Sequence, residues 1–367
     1  MKKFMNQENM KHENCIDVFH LIKEEKQLTR KQIEAITGMS WGAVSNITAR
    51  LISNGFIMEQ KAGENTGPGR TPSYLEVDGS RYCTLGIDVN ITGMKAELVN
   101  LKSETVKTWG CETRYSSRED LLQSISRILE LALADEESKK YEILGIGAAM
   151  QGVVDAENGI SVSMTQCSDW NNVPLVAVLE EKYRIPVWLE HDPNCILNAY
   201  ARTHEIQNAI LLRIDRGIGM AVMLDSGILE GTGRFEIART ITVWEKGPYP
   251  GPDKGCLEDF ASVNGLEKRS GMKLESLTEA AQSGDSKAMS LFQDMGMKLG
   301  ISIYNMRKIF NITDVILCGG LMESERFFMD TVVRINDGAR FFTADAGSAC
   351  YGAAAIALNQ AVGRIKL

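Results

Sequence analysis

The sequence has no apolar run long enough to span a bilayer, no Cys-x-x-Cys pair and no surplus of positive charge. The first absence excludes a membrane-spanning helix, which needs roughly 18–20 consecutive apolar residues. A signal peptide is not expected either, because Met1-Lys2-Lys3-Phe4 leads into Asn, Gln and Glu rather than an apolar stretch. The eight cysteines, at 15, 83, 111, 167, 195, 256, 318 and 350, are scattered. In a chain of this size they read as reduced, mostly buried cytoplasmic thiols. As to charge, the net value is −8, while residues 1–82 hold eleven Lys/Arg against ten Asp/Glu, leaving −9 for the remainder. A near-neutral head on an acidic body argues against strong non-specific adhesion to nucleic acid, and for dimeric, site-selective docking.

What is present is the composition of a globular protein, 44% hydrophobic and 24% charged. At 367 residues the chain is too long for one ordinary core, so two or three domains are expected. Near the N-terminus, Ile16, Phe19 and Ile22 recur at helical spacing and predict a first helix over about 12–26. Thr29 and Gln32 form a T-x-x-Q capping box opening a short helix with Ile33 and Ile36. Thr37-Gly38-Met39 is a tight turn. Ser40 then N-caps a third helix that buries Val44, Ile47 and Leu51 and stops at Asn54-Gly55.

Helix, glycine turn, helix at this spacing is the helix-turn-helix arrangement. Its third helix is expected to expose Trp41, Ser45, Asn46, Thr48 and Ala49 with Arg50 beside them, groups suited to base edges and phosphates. With Thr29, Arg30 and Ser40 they make the candidate DNA contacts; the competing reading is the solvated face of an ordinary three-helix domain. Phe56-Ile57-Met58 and Tyr74–Val77 read as the strands of a wing. Its tip holds Gly67-Pro68-Gly69-Arg70, where Gly69 brings the backbone near a minor groove and Arg70 inserts, or where one arginine is simply solvated.

From residue 82 strands and helices alternate in α/β fashion. Strands are expected at Tyr82–Asp88, Lys95–Asn100, Ile143–Ala149, Val187–Glu190, Ala209–Ile214, Met220–Leu224 and Val315–Cys318. Helices are expected near 117–134, 173–183, 193–201, 255–269, 284–309 and 348–362. Leu85-Gly86-Ile87-Asp88 and Leu211-Leu212-Arg213-Ile214-Asp215 open in the same way, which suggests a duplicated unit. The expected organisation is a winged helix-turn-helix over 1–80 followed by a two-lobed α/β body over 81–367.

Several segments of the body carry a family resemblance. They are Gly145-Ile146-Gly147, Gly152-Val153-Val154-Asp155, Trp170-Asn171-Asn172-Val173-Pro174-Leu175, Ile185-Pro186-Val187, Gly255-Cys256-Leu257-Glu258, Gly319-Gly320 and Gly352-Ala353-Ala354. Through them the chain resembles the ROK family of repressors, unassigned reading frames and sugar kinases, over nearly its whole length. The resemblance implies an actin-like, ribonuclease H-like sugar-kinase fold for the body, and the added head places the chain with the family's repressors.

Two departures from the kinase pattern follow from that resemblance. Where the kinases carry a D-x-G-G-T-K-like phosphate loop, this chain has Asp88-Val89-Asn90-Ile91-Thr92-Gly93-Met94-Lys95. Asn90 and Ile91 stand in the glycine places, and side chains there crowd the phosphate approach. Where the family holds zinc with one His and three Cys, this chain has Arg239, Tyr249, Gly251 and Cys256. One ligand of four does not hold zinc, and neither metal nor cofactor is expected. His191 and Cys195, four apart, are too few for a second metal site.

On the sugar side, Asp192 matches the kinases' catalytic base, and Asp192-Pro193 is equally an N-cap and N1 pair for a helix. His191 stands in place of the family's usual Asn. Glu236 and Glu258 match the glutamates that bracket the sugar, or are plain surface acids. Arg239 pairs with Glu236, or else grips an acidic or phosphorylated sugar. The resemblance therefore implies a cytoplasmic, sugar-responsive repressor of a carbohydrate-utilisation operon. It would be a homodimer or homotetramer on a pseudo-palindromic operator, released by a sugar or sugar phosphate. A sugar kinase with a DNA-binding head, or a ligand-independent regulator, are the alternatives.

Overall fold

The computed structural model describes residues 7–61, 73–90, 93–164, 166–229, 236–243 and 255–364. The chain opens with α1 (Gln7–Glu25), α2 (Arg30–Thr37), α3 (Trp41–Ser53) and the strands β1 (Ile57–Lys61) and β2 (Ser73–Val77). The sequence signals that start and stop these helices are all at work. Thr29 N donates to Gln32 Oε1 at 2.8 Å while Gln32 N donates to Thr29 Oγ1 at 3.3 Å, closing the capping box. Gly38 ends α2 in the left-handed region, at φ +69°, where a side chain would be strained. Ser40 caps α3 by accepting from Ala43 N, and β1 pairs antiparallel with β2 from Ile57↔Val77 to Lys61↔Ser73. The wing tip with Gly69 and Arg70 lies outside the described residues.

Next come β3 (Tyr82–Val89), β4 (Met94–Asn100), β5 (Thr105–Cys111), α4 (Arg118–Ala134), β6 (Glu142–Met150), β7 (Val153–Asp155), β8 (Ile160–Met164), β9 (Cys167–Val173) and α5 (Leu175–Tyr183). These are followed by β10 (Val187–His191), α6 (Asp192–His204), β11 (Ala209–Ile214), β12 (Ile218–Leu224) and β13 (Gly227–Ile228). The remainder is α7 (Leu257–Ala261), α8 (Val263–Ser270), α9 (Leu274–Gln282), α10 (Ser286–Phe310), β14 (Asp314–Cys318), α11 (Met329–Ile335), β15 (Arg340–Thr343) and α12 (Ala349–Arg364). Two compact units result. One comprises Met1–Met150, Ala156–Leu189 and Ala353–Leu367, and the other Gln151–Asp155 and Glu190–Gly352. Among the described residues, no helix is long and apolar enough to cross a membrane.

In the first unit a five-stranded sheet runs β10-β6-β3-β4-β5, with β3 antiparallel to β4 and parallel to β6. The head is not a bead on a string in this unit. Cys15, Val18, Phe19 and Ile22 of α1 share one buried cluster with Phe56, Tyr82, Leu101 and, from the far end of the chain, Leu358 and Val362 of α12. Burying a side chain such as Phe19 or Ile22 contributes roughly 1.5–3 kcal/mol. His12 Nε2 lies 2.9 Å from Gly363 O at the edge of the same contact.

In the second unit a five-stranded sheet runs β13-β12-β11-β14-β15. Here β11 is antiparallel to β12 and parallel to β14, repeating the pairing of β3 with β4 and β6. The two similar sequence openings thus fall on equivalent strands. Phe292, Met295, Leu299 and Ile303 of α10 fill the core beneath this sheet with Leu212, Val222 and Leu317. The single helix expected over 255–269 is two, because Ser262 is extended, at φ −102° and ψ 163°. Its hydroxyl closes α7 by donating to Glu258 O and opens α8 by accepting from Gly265 N.

Asp135, just past α4, illustrates local electrostatics. The Lys107 ammonium 2.7 Å away, then the Glu137 N–H and the Trp109 indole, hold its carboxyl down at about 2. A carboxyl depressed on folding stabilises the folded state above its ordinary value of 3.8 and loses that contribution as pH falls through about 2. Asp135→Asn is therefore expected to flatten the urea midpoint between about pH 4 and 2; an unchanged acid limb would contradict this.

Candidate functional site

The head presents α3 outward. Trp41 is 49% exposed, Asn46, Ala49 and Arg50 are exposed, and Ser45 is half-buried. Thr48 corrects the expectation: it is fully buried, donating to Ser45 O at 3.2 Å and accepting from Arg30 Nε at 3.0 Å. Ile36, in α2 beside the turn, is 56% exposed. Arg30 also grips Glu59 through two parallel bonds of 2.8 and 3.0 Å. Its guanidinium thus braces α2 against α3 and β1, a bidentate geometry that lysine does not reproduce. Thr29 and Ser40 are engaged as helix caps.

The second candidate site lies in the second unit, where β10 gives way to α6. The Asp192 side chain does not cap α6: His191 is the N-cap residue, and Asp192 and Pro193 are its first two helical residues. Asp192, 4% exposed, instead pairs with Arg213 of β11, itself 5% exposed. Arg213 Nε also donates to Asp215 Oδ2 at 3.2 Å, so one buried guanidinium joins two carboxylates. His191 Nε2 stands 3.5 Å from Asp192 Oδ1, and its backbone N–H donates to Glu190 Oε1 at 2.7 Å. Asn194 Nδ2 holds the same oxygen at 2.9 Å.

Two glycines let the β11–β12 turn approach these groups. A Cβ on Gly219 would lie 2.8 Å from Pro193 Cγ, and one on Gly217 would lie 2.8 Å from Glu258 Oε2. Glu258 accepts from Ile218 N at 3.3 Å, so it sits on this turn rather than on open surface. The structure therefore gathers His191, Asp192 and Glu258 about one hairpin. Glu236 and Arg239 are both exposed, at the ends of a single 3-10 turn where Arg239 N donates to Glu236 O at 3.0 Å.

The zinc pattern of the kinases does not fit the residues present. Arg239 is a permanent cation, and the Cys256 thiol faces Asp259 Oδ2 at 3.5 Å, its pKa pushed up by burial. Tyr249 and Gly251 lie outside the described residues. Among the described residues, no group of three or more His, Cys, Asp or Glu side chains is placed to hold a metal ion. What does join the two segments is backbone: Ile241 bridges Cys256, and Leu257 N donates to Thr240 O at 2.9 Å. On the phosphate-loop side Asp88 is buried and Asn90 O accepts from Thr113 Oγ1 at 2.6 Å; Ile91 lies outside the described residues.

Arg213 and Asp215 are site residues that sequence reading passed over as part of a repeated strand opening. The available signal was a charged residue inside the apolar run Ala209–Ile214, since a buried arginine requires a carboxylate partner.

The ROK family model matches residues 84–340. The chain belongs to the ROK family. Among relatives, this ROK chain is 25% identical to the xylose repressor of Caldicellulosiruptor bescii, over 84% of this chain and 83% of that one. It is 24% identical to the N-acetylglucosamine repressor of Escherichia coli O6:H1, over 89% and 85%. Its fold matches the crystal structure of a ROK family transcriptional regulator, a homologue of the Escherichia coli MLC protein. That match has a TM-score of 0.83 at 18% identity and covers 98% of this chain and 99% of that one.

Proposed function

We propose that this ROK protein is a sugar-responsive transcriptional repressor of a carbohydrate-utilisation operon. The observation that carries the reading is the head itself: a capped helix-turn-helix whose third helix turns Trp41, Asn46 and Arg50 to solvent and is built into the core of a ROK unit. The names of the two relatives, a xylose repressor and an N-acetylglucosamine repressor, support a sugar as effector. In a dimer, two recognition helices would enter successive major grooves of a pseudo-palindrome. Arg70 would reach the minor groove from the wing.

Sugar would bind at His191, Asp192 and Glu258, with Glu236 and Arg239 toward the solvent side, and would favour a conformation whose heads are out of register with the half-sites. Only unequal affinity for the two conformations shifts that balance. A phosphoryl-transfer role is disfavoured, because Asn90 and Ile91 stand where the kinases' phosphate loop has glycines. Nothing in this reading requires the protein to leave the cytoplasm or to bind a cofactor.

Fluorescence anisotropy on the DNA upstream of its own operon, at fixed salt, tests it. Adding the effector sugar is expected to weaken binding, and no response to any sugar would refute the reading. Asn46→Ala is expected to cost about 1–3 kcal/mol and to relax sequence preference. Arg50→Ala should weaken all sequences alike and lower the salt slope by about one. Thr48→Ala, inside the head, should act through stability instead.

A further inference from the structure

We infer that Arg81 and Tyr82 are positioning residues for operator recognition: they fasten the C-terminal end of α3 to the first strand of the body's sheet. The inference rests on the DNA-binding reading above and adds two residues that act through α3.

Residues 78–81 join β2 to β3, and the join has no slack. Asp78 N donates to Phe56 O at 2.9 Å, while Asp78 Oδ1 accepts from Ser80 N at 2.9 Å and from the Ser80 hydroxyl at 2.6 Å. A Cβ on Gly79 would lie 2.9 Å from Asn100 Nδ2. Glu142 N donates to Arg81 O at 2.9 Å, and Tyr82 pairs with Glu142 in the β3–β6 ladder. The backbones of Arg81 and Tyr82 therefore belong to the sheet, and their side chains meet the end of α3.

The last carbonyls of a helix have no partner within it. At the end of α3, Asn54 O accepts from Tyr82 Oη at 2.9 Å and from Arg81 Nη1 at 3.2 Å. A cation at this point also meets the negative end of the helix dipole. Gly55, at φ +75°, makes the approach possible, since a Cβ on it would lie 2.8 Å from Arg81 Cδ. The buried Tyr82 ring is stacked on Phe56 with centroids 4.9 Å apart, and the Arg81 guanidinium lies 4.7 Å from the Tyr82 centroid. Helix end, aromatic pair and strand start form one block.

Any swing of that end would move Asn46 and Arg50, the exposed groups of α3. With the end held on β3, the distance and angle between two recognition helices in a dimer are set by the bodies. The half-sites must then match a fixed spacing, and one base pair shifts a half-site by about 3.4 Å and about 35°.

The test uses the full chain and a duplex selected by the wild type from a randomised pool. Copies with one base pair added or removed between the half-sites are compared with it by fluorescence anisotropy at fixed salt. Wild type is expected to bind the altered spacings on the order of a hundredfold more weakly. Tyr82→Phe keeps the ring on Phe56 and removes the hydroxyl, and Arg81→Ala removes the guanidinium. Each is expected to narrow that ratio by about three- to tenfold, the worth of one hydrogen bond at the helix end. Thr48→Ala disturbs the head but leaves Asn54 O held, so it should weaken every spacing alike. Thermal unfolding reports whether each variant folds; should Tyr82→Phe not fold, Arg81→Ala, at a side chain 51% exposed, carries the test. A ratio unchanged in the folded variants, or a loss spread evenly over all spacings, overturns the inference and leaves the repressor reading intact. A wild type that selects no duplex with paired half-sites overturns both.

Discussion

Arg213→Met is expected to lower the unfolding free energy by about 3–5 kcal/mol, because it strands a buried carboxylate. Asp192 is 4% exposed, so water cannot replace the guanidinium it loses. Asp215 loses its Nε donor at the same time, although it retains Gly320 N. The cost comes mainly from leaving a charge unpaired rather than from the pair's own attraction. The double variant Arg213→Met/Asp192→Asn should therefore recover a large part of the loss, since an amide costs far less to bury than a carboxylate. Urea titrations of wild type, both single variants and the double variant measure the coupling directly. Additive single effects would mean that the two residues do not meet in the folded protein.

Leu358→Ala is the second large effect, and it should appear some 340 residues away from the substitution in sequence. Leu358 is 1% exposed and packs in the cluster that holds Val18, Phe19 and Ile22 of α1. Truncating such a leucine costs about 2–5 kcal/mol, depending on how far the site collapses around the cavity. Hydrogen exchange should show α1 losing protection while β11 and β14, in the other compact unit, keep theirs. Operator affinity should fall in parallel, although no DNA contact has been touched. Unchanged protection across 15–22 would show that the head folds without the C-terminal helix.

Much of the head was legible because its signals act over three or four residues. The Thr29–Gln32 box, Gly38, Ser40 and Asn54-Gly55 each satisfy backbone groups of their own turn, and all fall where expected. The buried strands of the body were legible too, being short continuous apolar runs. Strands without such a run were missed. In β5, a mostly exposed strand, Trp109 is the buried side chain, and β9 buries every third residue, Cys167, Trp170 and Val173, rather than every second. The helices α9 and α11 were missed as well.

In the candidate sites, local spacing misled wherever a distant partner outbid a near one. Asp192-Pro193 has the form of a cap, yet its carboxylate turns to Arg213, because a buried guanidinium gains more from it than a helix terminus does. Thr48 was placed among the exposed groups although it lies four residues after Val44 and three before Leu51, on the buried face; Arg30, anchored on Glu59, closes over its hydroxyl.

By itself the sequence determined the head's helices and caps, the strand-and-helix alternation of the body, and the family. All of these depend on neighbouring residues or on runs of like residues. Only tertiary structure decided that α12 completes the core beneath α1, that Arg213 neutralises Asp192, and that Asp215 covers Gly320. Each of these joins residues far apart in the chain, and their meeting depends on which faces the strand order brings together, a property no local pattern encodes.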